Sequence, residues 1–559
     1  MSHPPPLLEW LDRHPEINLW LTGGLIALGL AGVLRSLRRE GPGEAGRHDW
    51  VWGWLLPAIL IAGRWPAALF PRELNPDEGQ LLAGAHTLTG DPVFWRSVNG
   101  GTAGPLDFYA LWPAGWLCGW DSYLPARITA DALLIAAFVL AHQCMTLALG
   151  RTAARAASLT TVCFTALTFA PDFLHYSTEL VPVTLLAGAA YAAIRRWVPA
   201  GSVGWNFLGG LLIGAVPLAK LQPVPLALVA GVGWLVAELR RGGADRSRRV
   251  AGLLIGAITP AFLGAIVLTV AGEWESFSTS YLQYNFAYAA AGSLPLGQAL
   301  AETLANSVTW DSLLHFWLPG WLVWVVLMVR LRPSPNRTVR IFLWCALAAC
   351  LLSLFGILSP RRSFLHYWQL FVIPADLLAG ALVANLLGAA PPRWRQAERG
   401  LVAAGTLGLV GTLCLHRLAH PGPFAGNLVY AHAHPRTKLA QQLAVYTRPG
   451  DRLAVWGWSN HLYVETGLRQ ATRDAQVSAL LEPGALQEKF RARYLADLAR
   501  SRPALFVDTI GPASLSLRAP GLRHEQNFPA LAEMIRTRYD LVMDTENARI
   551  YRRKDLAGR

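Results

Sequence analysis

Asn75-Pro76-Asp77-Glu78-Gly79 comes directly after the apolar run 51–70 and opens a long polar, aromatic loop. Adjacent carboxylates beside a run of that length are costly unless they stay wet or take part in chemistry. The rest of the chain identifies the run as membrane-spanning. Of the 559 residues, 53% are hydrophobic and 15% charged, where a soluble domain carries about 25% charged. The mean hydropathy is +0.31. Apolar stretches approaching the roughly 20 residues that cross a bilayer recur along the chain. Their cores lie at 17–35, 51–70, 127–149, 155–171, 178–195, 205–219, 223–239, 250–271, 311–330, 340–358, 366–388 and 400–417, and Pro217, Pro223 and Pro225 interrupt the pattern between 205 and 239. An α-helical polytopic membrane protein of about 12 transmembrane helices is expected.

The net charge of +13 sits mainly in arginines between these stretches, so it reports topology rather than nucleic-acid binding. Alternate loops hold Arg35/Arg38/Arg39/Arg47, Arg151/Arg155, Arg195/Arg196, Arg240/Arg241/Arg246/Arg248/Arg249, Arg330/Arg332/Arg337/Arg340 and Arg393/Arg395/Arg399. The opposite loops carry only Arg72, Arg96, Lys220, Arg361 and Arg362. By the positive-inside rule the first set faces the cytoplasm, and Asp77 and everything after about residue 418 lie outside. The six cysteines, Cys118, Cys144, Cys163, Cys345, Cys350 and Cys414, show neither metal-ligand spacing nor a disulfide framework. Met1 to Asn18 is Pro-rich and mixed in charge, unlike a cleavable signal. There is no internal repeat.

A membrane domain over 1–420 and a small outer α/β domain over 421–559 follow from the change in composition. In the second part, strands are expected at Arg452–Trp456, Ala504–Asp508, near Leu541–Met543 and at Arg549–Tyr551, with helices at 435–447, 485–501 and 529–538. The first outer loop, 71–126, is too long to be structureless. A helix is expected over 77–90, started by Pro76 with Asp77 and Glu78 in its first turn. A second is expected from Leu106 to Trp120, with Trp112, Trp116 and Trp120 on one interfacial face. Another outer segment, 272–309, carries Trp274, Tyr281, Tyr284 and Tyr288. These either anchor at the interface, the commoner case, or stack on a sugar.

Three groups have the composition for chemistry. Asp77 and Glu78 read either as a solvated helix start or as a base at a membrane mouth. The turn Pro171–Glu179 offers Asp172 and His175 within one helical turn, for a metal or a sugar, and Glu179 at the mouth of a span. Lys220, Arg361 and Arg362 are outer-side cations against the topological bias. They either snorkel to headgroups or bind a lipid phosphate.

Taken in order, Asn75-Pro76-Asp77-Glu78-Gly79, Gly104-Pro105-Leu106-Asp107-Phe108-Tyr109, His175-Tyr176-Ser177-Thr178-Glu179, Lys220-Leu221-Gln222-Pro223 and Arg362-Ser363-Phe364-Leu365-His366-Tyr367 resemble the GT-C type of membrane glycosyltransferase. The likeness is to bacterial relatives of protein O-mannosyltransferases and lipid A aminoarabinose transferases, and Val455-Trp456-Gly457-Trp458, with Tyr463 and Ala471-Thr472-Arg473-Asp474, resembles their outer domain. Two departures stand out. A span at 17–35 precedes the one before the acidic loop, and the second acidic motif of many relatives is reduced to Asp172 and Glu179.

The resemblance implies an inverting hexosyl- or pentosyltransferase of the inner membrane, with its C-terminal domain in the periplasm. It would move a sugar from a polyprenyl-phosphate donor to a hydroxyl acceptor, with membrane lipids but no nucleic acid as partners. Asp77 would be the general base and Glu78 its helper. Lys220, Arg361, Arg362 and His366 would hold the donor phosphate. Asp107, Asp172, His175, Tyr176, Glu179 and Tyr367 would line the substrate site. No cofactor is certain, a divalent metal being the one candidate. The rival expectation is a transporter or flippase of a lipid-linked or anionic substrate. The absence of a repeat and of a charged pair deep in the spans speaks against it. A scaffold would leave the outer charges without a role.

Overall fold

The computed structural model describes residues 6–39, 49–197, 202–291, 294–307, 314–329, 334–389 and 392–556, and each apolar stretch lies mainly on a helix. Positions 311–313 and 330 of the ninth stretch fall outside the described residues. Six helices are long and apolar enough to cross a membrane: Glu16–Arg38, Leu124–Leu149, Arg246–Ala271, Arg337–Leu358, Leu365–Gly388 and Arg395–Ala419. The expected count of about twelve is therefore not reached by length and composition. The 17-residue helix Arg151–Leu167 is only about 26 Å long at 1.5 Å per residue, short of a roughly 30 Å hydrocarbon core. Helix Gly204–Ala219 has 16 residues and Pro217 inside it.

Helix Arg151–Leu167 is the centre of the bundle, with every residue from Ala156 to Leu167 buried. Its alanines let neighbouring helices approach closely. Against it, Gly63 of helix Trp50–Ala68 is so near that a Cβ there would stand 2.2 Å from the Ala166 carbonyl oxygen. No charged pair is expected deep in the spans. Arg64 donates to Asp131 at 2.5 Å, and it also donates to the carbonyls of Phe173 (2.9 Å) and Leu174 (3.2 Å), which places this pair beside a turn in the last part of helix Trp50–Ala68. Deeper in, Asp376 is fully buried and accepts from Thr161 at 3.3 Å and Ser158 at 3.5 Å. At the opposite end, arginines of the Arg-rich loops pair with acids, Arg155 with Asp49 at 2.6 Å and Arg249 with Glu238 at 2.8 Å.

The first outer loop folds as expected at its start and differently at its end. Helix Pro76–Leu88 forms, but 106–120 is two short helices, Pro105–Tyr109 and Trp112–Cys118, because Pro113 starts the second. Trp112 and Trp116 stay in ring contact at 5.3 Å, but Trp120 leaves their face. Trp112 donates to the Ala85 carbonyl at 3.1 Å, and Trp120 stacks on His86, leaving Trp116 exposed next to Leu117. Segment 272–291 runs through Trp274–Phe277, a π-helical stretch Ser278–Gln283 and Tyr284–Ala290. Its tyrosines turn inward rather than to the interface. Tyr281 packs on Trp95 and donates to the Pro217 carbonyl, Tyr284 packs on Phe490, and Tyr288 lies under Arg362. Trp274 remains exposed.

After helix Arg395–Ala419 comes a five-stranded sheet with strands β1 Arg452–Trp456, β2 Arg469–Gln470, β3 Leu505–Asp508, β4 Tyr539–Asp544 and β5 Arg549–Arg553, in the order β2-β1-β3-β5-β4. β1 is parallel to β2 and β3, while β5 is antiparallel to β3 and β4. Helices Lys438–Ala444, Gln487–Ser501 and Pro529–Arg538 accompany it. The strand missing from the sequence reading is β2, two residues long and without a periodic signature. The domain is fastened to the first loop. Asn99 donates to Asp474 at 2.6 Å, Arg473 to the Trp95 carbonyl at 2.8 Å, and the Gln470 amide to Thr87 at 3.0 Å.

Candidate active site

The acidic motif is held from three sides. Asn75 caps helix Pro76–Leu88, its side-chain oxygen accepting from the Asp77 amide at 3.0 Å. Gly79 has no room for a side chain: a Cβ would stand 2.4 Å from Glu73 Oε1 and 3.1 Å from the backbone of both Asn460 and His461. Asn460 itself donates to the Pro76 carbonyl at 3.3 Å, so the outer domain seats the first turn.

Within that turn the two carboxylates diverge. Glu78 is fully buried and accepts from Arg127 Nε at 3.1 Å and Nη2 at 3.2 Å. The same guanidinium donates to the carbonyls of Ala67, Phe70 and Arg72 and so ties the end of helix Trp50–Ala68 to the acidic helix. Asp77 is half-exposed, and its carboxylate has no hydrogen bond or ion pair among the described residues. Its charge is felt at His366, Tyr367 and Tyr288.

Those residues belong to a polar wall. Asp172, on the short helix Pro171–Leu174, binds His366 Nδ1 at 3.2 Å and accepts from Asn75 at 3.5 Å, and its carbonyl accepts from Gln369 at 2.6 Å. The His175 ring stands perpendicular to that of His366 at 5.8 Å, and its buried Nε2 has no partner. Burial pushes the Asp172 carboxyl up, but the His366 hydrogen bond and the His175 charge more than offset it, leaving it below the ordinary range.

Next to this, Lys220 contacts Glu179, donates to Thr178 at 2.6 Å and stands 5.0 Å from the Tyr367 ring centre. Asp107 lies beside both and is fully buried. Burial pushes its carboxyl well above the usual range, and the attraction of Lys220 only partly opposes this. Tyr176 donates to the Asp107 carbonyl at 2.6 Å.

Arg362 closes the far side, its guanidinium 4.1 Å from the Tyr288 ring centre and its buried Nε without a partner. Arg361 departs from this group. It is exposed, at φ +52°.

Thus Asp77, Asp107, Asp172, His175, Tyr176, Glu179, Lys220, Arg362, His366 and Tyr367 are linked by contacts and charge into one group, while Glu78 turns to Arg127 and Arg361 to solvent. Arg127 escaped the sequence reading as a member of an apolar span, although a cation at a span's outer end was itself a signal. The described residues contain no group of three or more His, Cys, Asp or Glu able to hold a metal ion. Asp172, the proposed ligand, is engaged by His366 and Asn75, and His175 Nδ1 is engaged by the Pro171 carbonyl. The donor set does not fit a divalent metal.

No protein-family model and no curated protein matches the chain. Solved structures do. ArnT from Cupriavidus metallidurans in the apo state superposes with a TM-score of 0.54 at 14% identity, over 90% of this chain and 98% of that one. The same protein bound to undecaprenyl phosphate gives 0.53 at 15%, with the same coverage. The chain shares the fold of this ArnT. At this identity the likeness is one of architecture, and it extends over the membrane helices and the outer domain alike.

Proposed function

We propose that this chain is a glycosyltransferase that moves a sugar from a polyprenyl-phosphate donor to a hydroxyl acceptor, with inversion, at the extracytoplasmic face of the plasma membrane. The observation that carries the reading is Asp77. It is a carboxylate fixed at a capped helix start, free of partners among the described residues, and opposite a wall bearing Lys220, His366, Tyr367 and Arg362. The undecaprenyl phosphate bound to the ArnT of similar fold supports a lipid phosphate as leaving group. The excess of arginines on one set of loops supports the sidedness.

In this reading the acceptor oxygen attacks the anomeric carbon as its proton passes to Asp77. The bond from that carbon to the phosphate oxygen breaks on the opposite face, and its electron pair leaves with the lipid phosphate. The phosphate is already a weak base and needs cations rather than a general acid. Lys220 and Arg362 supply them, and His366 donates. Asp107 and Glu179 line the sugar side with Tyr176, His175 and Tyr367, and Asp172 orients His366. Glu78 acts at one remove, fixing the turn that carries Asp77. The test is to incubate the purified chain with a panel of polyprenyl-phosphate sugars and follow release of free polyprenyl phosphate. Release by wild type and its loss in Asp77→Asn with donor binding retained is the expected result. No turnover or saturable binding with any donor would favour transport.

A further inference from the structure

At the other end of the acidic helix lies a cavity of about 420 Å³ that the proposed reaction does not use. His86 lines it, nine residues beyond Asp77 and so about 14 Å along the helix axis. Its other walls are Trp120 and Asp121 from the end of the first loop, and Arg436, Arg448 and Thr466 from the outer domain. Three features give the cavity a chemistry. Two exposed guanidiniums, those of Arg436 and Arg448, face it, and neither has a hydrogen bond or ion pair among the described residues. Opposite stands a flat aromatic surface, Trp120 stacked on His86 with ring centres 5.6 Å apart and planes 5° from parallel. Burial and the neighbouring Arg469 push His86 down to about 4, so the stack is uncharged. Lastly, the rim runs into exposed apolar surface, Trp116 at 65% and Leu117 at 86%, on the helix just before Trp120. Arg469 adds a third positive charge close by, held at Thr89 by a 3.0 Å hydrogen bond.

Guanidinium forks match phosphate oxygens, and an aromatic face matches the apolar side of a sugar or glycerol. We infer that this cavity binds a phosphate ester of a polyol, carried by a membrane lipid headgroup or by a phosphorylated sugar. The phosphate sits between Arg436 and Arg448, and the polyol lies against Trp120 with hydroxyls on Asp121 and Thr466. The site is separate from the mouth at Asp77, so occupancy here and turnover there are separable.

The experiment uses the purified full chain in detergent, titrated with short-chain phosphatidylglycerol, with glucose 1-phosphate, or with an alkyl glucoside as the phosphate-free control. Binding is read as hydrogen–deuterium exchange protection of peptides spanning 436–449 and 464–470. Protection by at least one phosphate probe and none by the glucoside is expected. The phosphatidylglycerol arm assigns a lipid, and the glucose 1-phosphate arm a soluble phosphosugar. Arg436→Ala with Arg448→Ala should weaken that binding at least tenfold, Trp120→Ala severalfold, while turnover at saturating donor stays within twofold of wild type. The two arginines are exposed, and an unchanged melting temperature shows the variant to be folded. No protection by either probe, or protection undiminished in the folded double variant, overturns the assignment.

Discussion

Asp77 and Glu78 are adjacent acids on one helical turn, yet one is partly exposed and the other is paired with a buried guanidinium. Substitutions should separate them. Asp77→Asn is expected to lower turnover by about 10²–10⁴-fold, the range for losing a general base, with donor affinity and melting temperature unchanged. Glu78→Gln leaves the buried Arg127 charge uncompensated and should destabilise by about 3–5 kcal/mol, seen in thermal unfolding before any loss of turnover per folded molecule. The sequence shows both acids and their position in a helix start. It does not show which faces where, because the partner of Glu78 is 49 residues away. Acid should act through Asp172. Its folded carboxyl lies below the ordinary 3.8. The stability it contributes is therefore complete above about pH 4 and is lost as pH falls through the folded value. Melting temperature should drop more steeply below pH 4 in wild type than in Asp172→Asn.

At the scale of elements, the acidic helix is the piece on which the outer domain rests. Gly79 shows how tightly: the first turn lies against Asn460 and His461 with no space for a methyl group. Gly79→Ala should cost about 1–3 kcal/mol, as overpacking does, and release a domain-sized fragment under limited proteolysis sooner than wild type does. Helix Pro76–Leu88 was legible because Asn, Pro and two acids are start signals that act within four residues. The helix expected over 106–120 was not, since a tryptophan every fourth residue satisfied the helical period while Pro113 restarted the chain between them. The inward-turning tyrosines of 281–288 were equally hidden. Their partners, Trp95 and Phe490, belong to segments that only the tertiary fold brings near.

For the molecule as a whole, apolar length and the placing of arginines were enough to foresee a helical membrane part and a small α/β part beyond it. Span count was harder. Short helices such as Arg151–Leu167 are covered by protein on every side, so their hydropathy reports burial as much as lipid. The two-residue β2 and the docking of the sheet onto the first loop had no periodic trace at all. Sidedness is open to direct measurement. In a background lacking the six native cysteines, a cysteine at Leu515 of the outer domain should react with a membrane-impermeant maleimide on intact cells. One at Arg240 should react only after the membrane is opened.

The buried grip of Arg127 on Glu78 and on the carbonyls of residues 67, 70 and 72 bears on how the chain is made. During synthesis the acidic helix emerges about fifty residues before the arginine that clamps it. Until helix Leu124–Leu149 has been inserted, the segment carrying Asp77 has its cap but not its lock. A nascent chain arrested before residue 127 would thus expose an acidic loop that quality-control proteases can reach, and the site would be assembled only once the membrane part is committed.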